Sequence, residues 1–131
     1  ITAELAGYKT YIINPSDYGI NFYGDTLFTT EKVIQENPDL VKRVTRATLK
    51  GWQFAYDHPE KAVDYVLMYS DQLNREQETR GMKASLELIK PDDKPIGTIE
   101  VDVVQQMQDL LVDYGILKSP VDLDKLVYKS F

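Results

Sequence analysis

The residues of this chain best suited to chemistry lie in one short stretch, Asp17 to Asp25, which reads DYGINFYGD. Tyr18, Phe22 and Tyr23 offer flat ring faces for stacking. Asp17 and Asp25 can accept hydrogen bonds from the N–H groups of a ligand. Gly19 and Gly24 permit sharp turns and close backbone approach. Such a set suits a flat, nitrogen-bearing molecule, with rings against its faces and carboxylates at its edge. The same residues equally suit a structural role, in which the aromatics fill a core and the aspartates cap helices or turns. On residue chemistry alone the two readings stand level.

Elsewhere the sequence offers little for bond-making. His58 is the sole histidine and stands before Pro59 at a helix junction, a place for a capping or surface residue. There is no serine nucleophile elbow, no paired-histidine zinc motif and no phosphate-binding glycine loop. The chain has no cysteine, which excludes disulfides, thiolate zinc sites, iron–sulfur ligation and a cysteine nucleophile. Asp92 and Asp93 sit in a turn beside Lys94, and most other carboxylates fall on helix surfaces, so no pair is singled out for acid–base work. The expectation is a protein that is not an enzyme and uses no cofactor or metal.

The net charge of −6 over 131 residues argues against a nucleic-acid partner. Lys42, Arg43, Arg46 and Lys50 recur at helical spacing, but Glu36 and Asp39 lie beside them, as on an ordinary solvated helix face. Apolar stretches run only a few residues, far below the ~20 that cross a bilayer. The opening Ile1-Thr2-Ala3-Glu4-Leu5 carries no signal-peptide pattern and reads as the middle of something, so a mature or truncated piece is expected.

The elements that would carry the Asp17–Asp25 stretch follow from periodicity and punctuation. Tyr8 to Ile13 is aromatic and β-branched and predicts a strand, and Thr26 to Thr29 a second short one. Asn14-Pro15-Ser16-Asp17 is turn chemistry. Thr30 to Glu36 predicts a short helix. Asn37-Pro38 then starts a longer one, with Leu40, Val44, Ala47, Gly51 and Phe54 on a broad buried face flanked by Val41, Thr48, Trp52 and Ala55. Trp52 is assigned to that core face. Pro59 opens the next helix, lined by Ala62, Val63, Val66, Leu67 and Tyr69. Arg75 to Ile89 predicts a further helix, and Lys90 to Pro95 a loop. Thr98 is expected to cap a helix from Glu100 to Tyr114, with Val103 or Val104, Met107, Leu110, Leu111 and Tyr114 inward. Gly115 fits a left-handed ending that Ile116 closes back on Leu111. Asp122 to Phe131 predicts a last turn or helix.

Several runs together resemble the NMT1/THI5-like solute-binding family. They are Asn14 to Thr29 (NPSDYGINFYGDTLFT), Asn37-Pro38-Asp39-Leu40-Val41 and Arg46-Ala47-Thr48-Leu49-Lys50-Gly51-Trp52. His58-Pro59-Glu60 with Ala62-Val63 resembles its helix break, and Gly115-Ile116-Leu117, Pro120-Val121-Asp122 and Tyr128 to Phe131 its ending. The resemblance implies an α/β, type II periplasmic-binding-protein-like fold, of which this chain is an incomplete C-terminal portion with short strands and then about five helices. Residues 1–25 would end the second lobe and cross over, and residues 26–131 would be the helical part of the first. The family's N-terminal half has no counterpart here, so either the chain is a fragment or two chains complete each other as a domain-exchanged homodimer.

The resemblance further implies the solute-binding component of an ABC-type uptake system, outside the cytoplasm, closing its lobes on a small molecule and read by a membrane permease. Asp17, Tyr18, Gly19, Phe22, Tyr23 and Asp25 become the expected ligand contacts. Between Asn14 and Thr30 there is no basic residue. A carboxylate facing a bound sulfonate or nitrate would repel it. A neutral or weakly cationic heteroaromatic, such as a pyrimidine precursor of thiamine, fits better. A sulfonate- or nitrate-type binder and an extracytoplasmic sensor domain of a membrane signalling protein are the alternatives. A pyrimidine synthase of the same fold would need more histidine than His58.

Overall fold

The computed structural model describes residues 1–90 and 93–128. Its described residues form helices and irregular chain: α1 Thr2–Leu5, a 3-10 turn Pro15–Tyr18, α2 Glu31–Glu36, α3 Pro38–Asp57, α4 Pro59–Leu67, α5 Arg75–Ile89, α6 Val101–Asp113 and α7 Leu123–Leu126. The expected α/β character is corrected here, because no β-strand occurs among the described residues. Tyr8–Ile13 and Thr26–Thr29 do not take part in a sheet. A strand exists only through a neighbour that pairs with its N–H and C=O groups, and among the described residues no other segment supplies one. The β-branched and aromatic side chains remain, with Tyr11, Ile12 and Ile13 exposed at 82%, 85% and 78%.

Backbone contacts divide the chain into two units. The first comprises Ile1–Tyr11 and Thr30–Gly97, and α2 to α5 belong to it. Thr30 starts α2, its side chain accepting from the Val33 amide at 3.3 Å. Asn37 and His58 each end one helix and begin the next, with nearly the same backbone: φ −139°, ψ 57° and φ −135°, ψ 60°. The cause is shared, since Pro38 and Pro59 exclude helical backbone from the residue before them. Neither Asn37 nor His58 gives a side-chain cap. The His58 ring instead packs on Phe54 at 5.0 Å between centroids. Asn74 caps α5, accepting from the Gln77 amide at 3.1 Å.

Within this unit α4 packs on α5 and α3, and α3 on α2 and α5. Val63 on α4 is its most buried apolar residue among the described residues, at 4% exposure. The face of α3 turned inward differs from the expected one. Val41, Thr45, Thr48, Leu49, Ala55 and Tyr56 are half-buried, while Leu40, Val44, Trp52 and Phe54 stay exposed. The helix is apolar on both sides, and only the side that meets a neighbour is covered. Arg75 pairs with Asp64 at 2.6 Å across the α4–α5 connection, but both groups are more than half exposed, and such pairs add little.

Gly97 closes the unit at φ 84°, with the Leu49 side chain occupying the place a Cβ would take. An L-residue there meets both an unfavourable backbone region and that side chain. Gly97→Ala should therefore cost about 1–3 kcal/mol, read as a lowered urea midpoint with an unchanged slope.

The second unit comprises Ile12–Thr29 and the described residues from Thr98 onward. Glu100, two residues after Thr98, occupies the N-cap of α6 and gives no side-chain cap. The ending of α6 follows the sequence expectation: Gly115 lies at φ 69°, the Ile116 amide donates to the Leu111 carbonyl at 2.8 Å, and the Gly115 amide to Val112 at 2.9 Å. These are the two bonds of a Schellman ending. Gln108 on α6 is buried, at 6% exposure, and its Oε1 accepts the Val121 amide at 2.7 Å. That bond satisfies a polar group that burial would otherwise penalise. α7 packs against α6, and its cap is Asp122, accepting from the Asp124 amide at 3.1 Å. The expected loop residues Pro91 and Asp92, and the tail from Lys129 to Phe131, lie outside the described residues.

Candidate functional site

The candidate segment begins where Asn14 and Pro15 wind the chain into the 3-10 turn. Proline at the first position fixes φ without removing a needed donor. The Asp17 amide donates to the Asn14 carbonyl at 3.0 Å, and the Gly19 and Ile20 amides to Ser16 and Pro15, each at 3.1 Å. Gly19 ends the turn at φ 77°, a conformation that glycine takes at no steric cost. Asp17, Tyr18 and Gly19 are thus gathered on one tight turn. Phe22, Tyr23 and Asp25 follow on irregular chain.

The side chains differ in what they are free to do. Tyr18 is 72% and Phe22 45% exposed, so both rings offer a face. Asp17 and Asp25 are exposed, and neither carboxylate has a hydrogen-bond or ion-pair partner among the described residues. In particular, Asp17 does not cap the turn it lies in. Tyr23 behaves differently. It is half-buried, its hydroxyl accepts the Glu100 amide at 2.9 Å, and its own amide donates to Met107 Sδ at 3.4 Å. The structural reading of the segment therefore fits Tyr23, while Tyr18, Phe22 and Asp17 are left for another use.

Sequence reasoning missed Glu100 and Met107 as partners of this segment. Met107 read only as part of the inward face of α6, and an amide acceptor more than 70 positions away leaves no local trace. Trp52, assigned to the core, is 43% exposed.

Outside the segment, an apolar notch in the first unit is lined by Pro59, Glu60, Val63, Thr79, Met82 and Lys83. Among the described residues, no group of three or more histidines and carboxylates could hold a metal ion, and no helix is long and apolar enough to cross a membrane.

Comparison with known proteins adds two matches. A family model described as NMT1/THI5 like matches residues 1–62. A formylaminopyrimidine-binding protein from Halalkalibacterium halodurans is 25% identical over 120 residues, covering 88% of this chain and 36% of its own length. The chain thus spans little more than a third of that relative. No solved structure matches it.

Proposed function

We infer that this chain, whose first 62 residues belong with the NMT1/THI5-like family, is part of a solute-binding protein that takes a small flat heteroaromatic of the pyrimidine class. The observation that carries this reading is the stretch from Asp17 on the 3-10 turn to Phe22 beyond it. It carries two exposed rings, Tyr18 and Phe22, and the Asp17 carboxylate, which has no partner among the described residues. Tyr18 or Phe22 stacks on the ring face, and Asp17 accepts from a ring amino group. The name of the relative from Halalkalibacterium halodurans supports the same ligand class.

The chemistry of such a site is binding without bond cleavage. Stacking supplies about 0.5–1.5 kcal/mol per ring beyond area burial, and a hydrogen bond to a charged group about 1.5–3 kcal/mol. The partner that follows is the membrane permease of an ABC-type uptake system, with the site outside the cytoplasm. Asp17 also supplies discrimination, because a sulfonate or nitrate would face a like charge.

Isothermal titration of the full chain with a formylaminopyrimidine, an alkanesulfonate and nitrate tests this. The expected result is saturable binding of the pyrimidine, on the order of micromolar, and none of the anions. Binding of an anion with no response to the pyrimidine would overturn the reading.

A further inference from the structure

We propose that Tyr23 is a positioning residue of this segment rather than a ligand contact: it straps the segment along α6 and thereby turns Phe22 outward. The ligand consequence rests on the function inferred above, whereas the strap itself does not.

The geometry is specific. Glu100 and Met107 are seven positions apart, two turns of helix, so they share one face of α6. Tyr23 meets both, with its backbone amide at the Met107 sulfur, 3.4 Å away, and its hydroxyl at the Glu100 amide, 2.9 Å away. Its length therefore runs along that face, and its half-buried ring is committed to α6. The Glu100 amide precedes the first helical residue, so it has no acceptor within α6. The phenol oxygen supplies one. The thioether is the weaker acceptor and adds direction more than strength.

Two fixed points on one residue define an orientation, which a single point does not. The chain at 22 and 23 is irregular, so the direction each side chain takes follows from what holds it and not from a strand-like alternation. Tyr23 is held half-buried against α6, while Phe22 beside it is 45% exposed. The strap thus determines which ring of the segment is presented.

The test compares Tyr23→Phe with wild type, using amide hydrogen exchange resolved at Glu100 and titration with a formylaminopyrimidine. Tyr8→Phe is the control, because Tyr8 is 71% exposed and lies in the other unit. Tyr23→Phe keeps the ring and removes only the hydroxyl. The expected result is exchange at Glu100 several-fold faster and affinity several-fold weaker, with the thermal midpoint nearly unchanged and Tyr8→Phe silent in both. Unchanged exchange at Glu100 would overturn the strap. Faster exchange with unchanged affinity would overturn the positioning role and leave a merely structural bond. A wild-type chain that takes no pyrimidine would sink the ligand reading instead, and exchange at Glu100 would then judge the strap alone.

Discussion

Val63→Asp is expected to abolish the cooperative thermal unfolding of the first unit, with far-ultraviolet dichroism falling gradually on heating in place of a sigmoid. Val63 is 4% exposed on α4, which packs on both α5 and α3. A carboxylate at that position would lie in an apolar surrounding without a built-in partner, at a cost of several kcal/mol. Lys83 lines the neighbouring notch, but it is an exposed side chain that would have to leave water to help. A small domain has about 5–15 kcal/mol in total, and among the described residues no side chain here is fully buried. Val63→Ala serves as the graded companion. It removes two methyl groups and should cost about 1–3 kcal/mol while leaving a sharp transition. A sigmoid retained by Val63→Asp would show that α4 is not central to the unit.

The second large effect concerns the ligand. Asp17→Ala should weaken pyrimidine binding by about 10- to 100-fold, because a hydrogen bond to a charged acceptor is worth about 1.5–3 kcal/mol and each 1.4 kcal/mol is a factor of ten. Phe22→Ala should cost less, about 3- to 10-fold, as the loss of one stacking face. The ranking is informative. If Phe22→Ala were the more damaging, shape and stacking would dominate and Asp17 would matter mainly for rejecting anions. Both side chains are exposed and make no described hydrogen bond, so neither variant should disturb the unfolding midpoint, and calorimetric titration beside a thermal scan separates the two effects.

The helices were legible because their signals are local. Pro38 and Pro59 mark helix starts wherever the chain goes, and Gly115 with Ile116 forms its ending from residues within one turn. The strands expected of Tyr8–Ile13 and Thr26–Thr29 do not form, because strand composition still needs a partner that composition cannot supply. Asn37 holds the N-cap position before Pro38, as the sequence indicates, though its side chain makes no capping bond; the cap expected of Thr98 falls instead on Glu100, two residues on. The inward face of α3 was misread for a related reason. Apolar residues on two sides of a helix do not say which side meets a neighbour, and Trp52 fell on the uncovered one. In the candidate segment, aromatic and acidic chemistry was readable, whereas the separate task of Tyr23 depends on Glu100 and Met107, far away in sequence.

The uncovered run Tyr11-Ile12-Ile13, together with Phe28 at 88% exposure, gives the chain a colloidal character. Contact between such patches is attractive, and what keeps two molecules apart is their shared charge of −6. That repulsion reaches ~10 Å at 0.1 M salt and only ~3 Å at 1 M. It vanishes near the isoelectric point of about 4.7. Dispersion in dilute buffer and flocculation on salting or mild acidification are therefore two sides of one balance, with dilution and low ionic strength preserving single molecules.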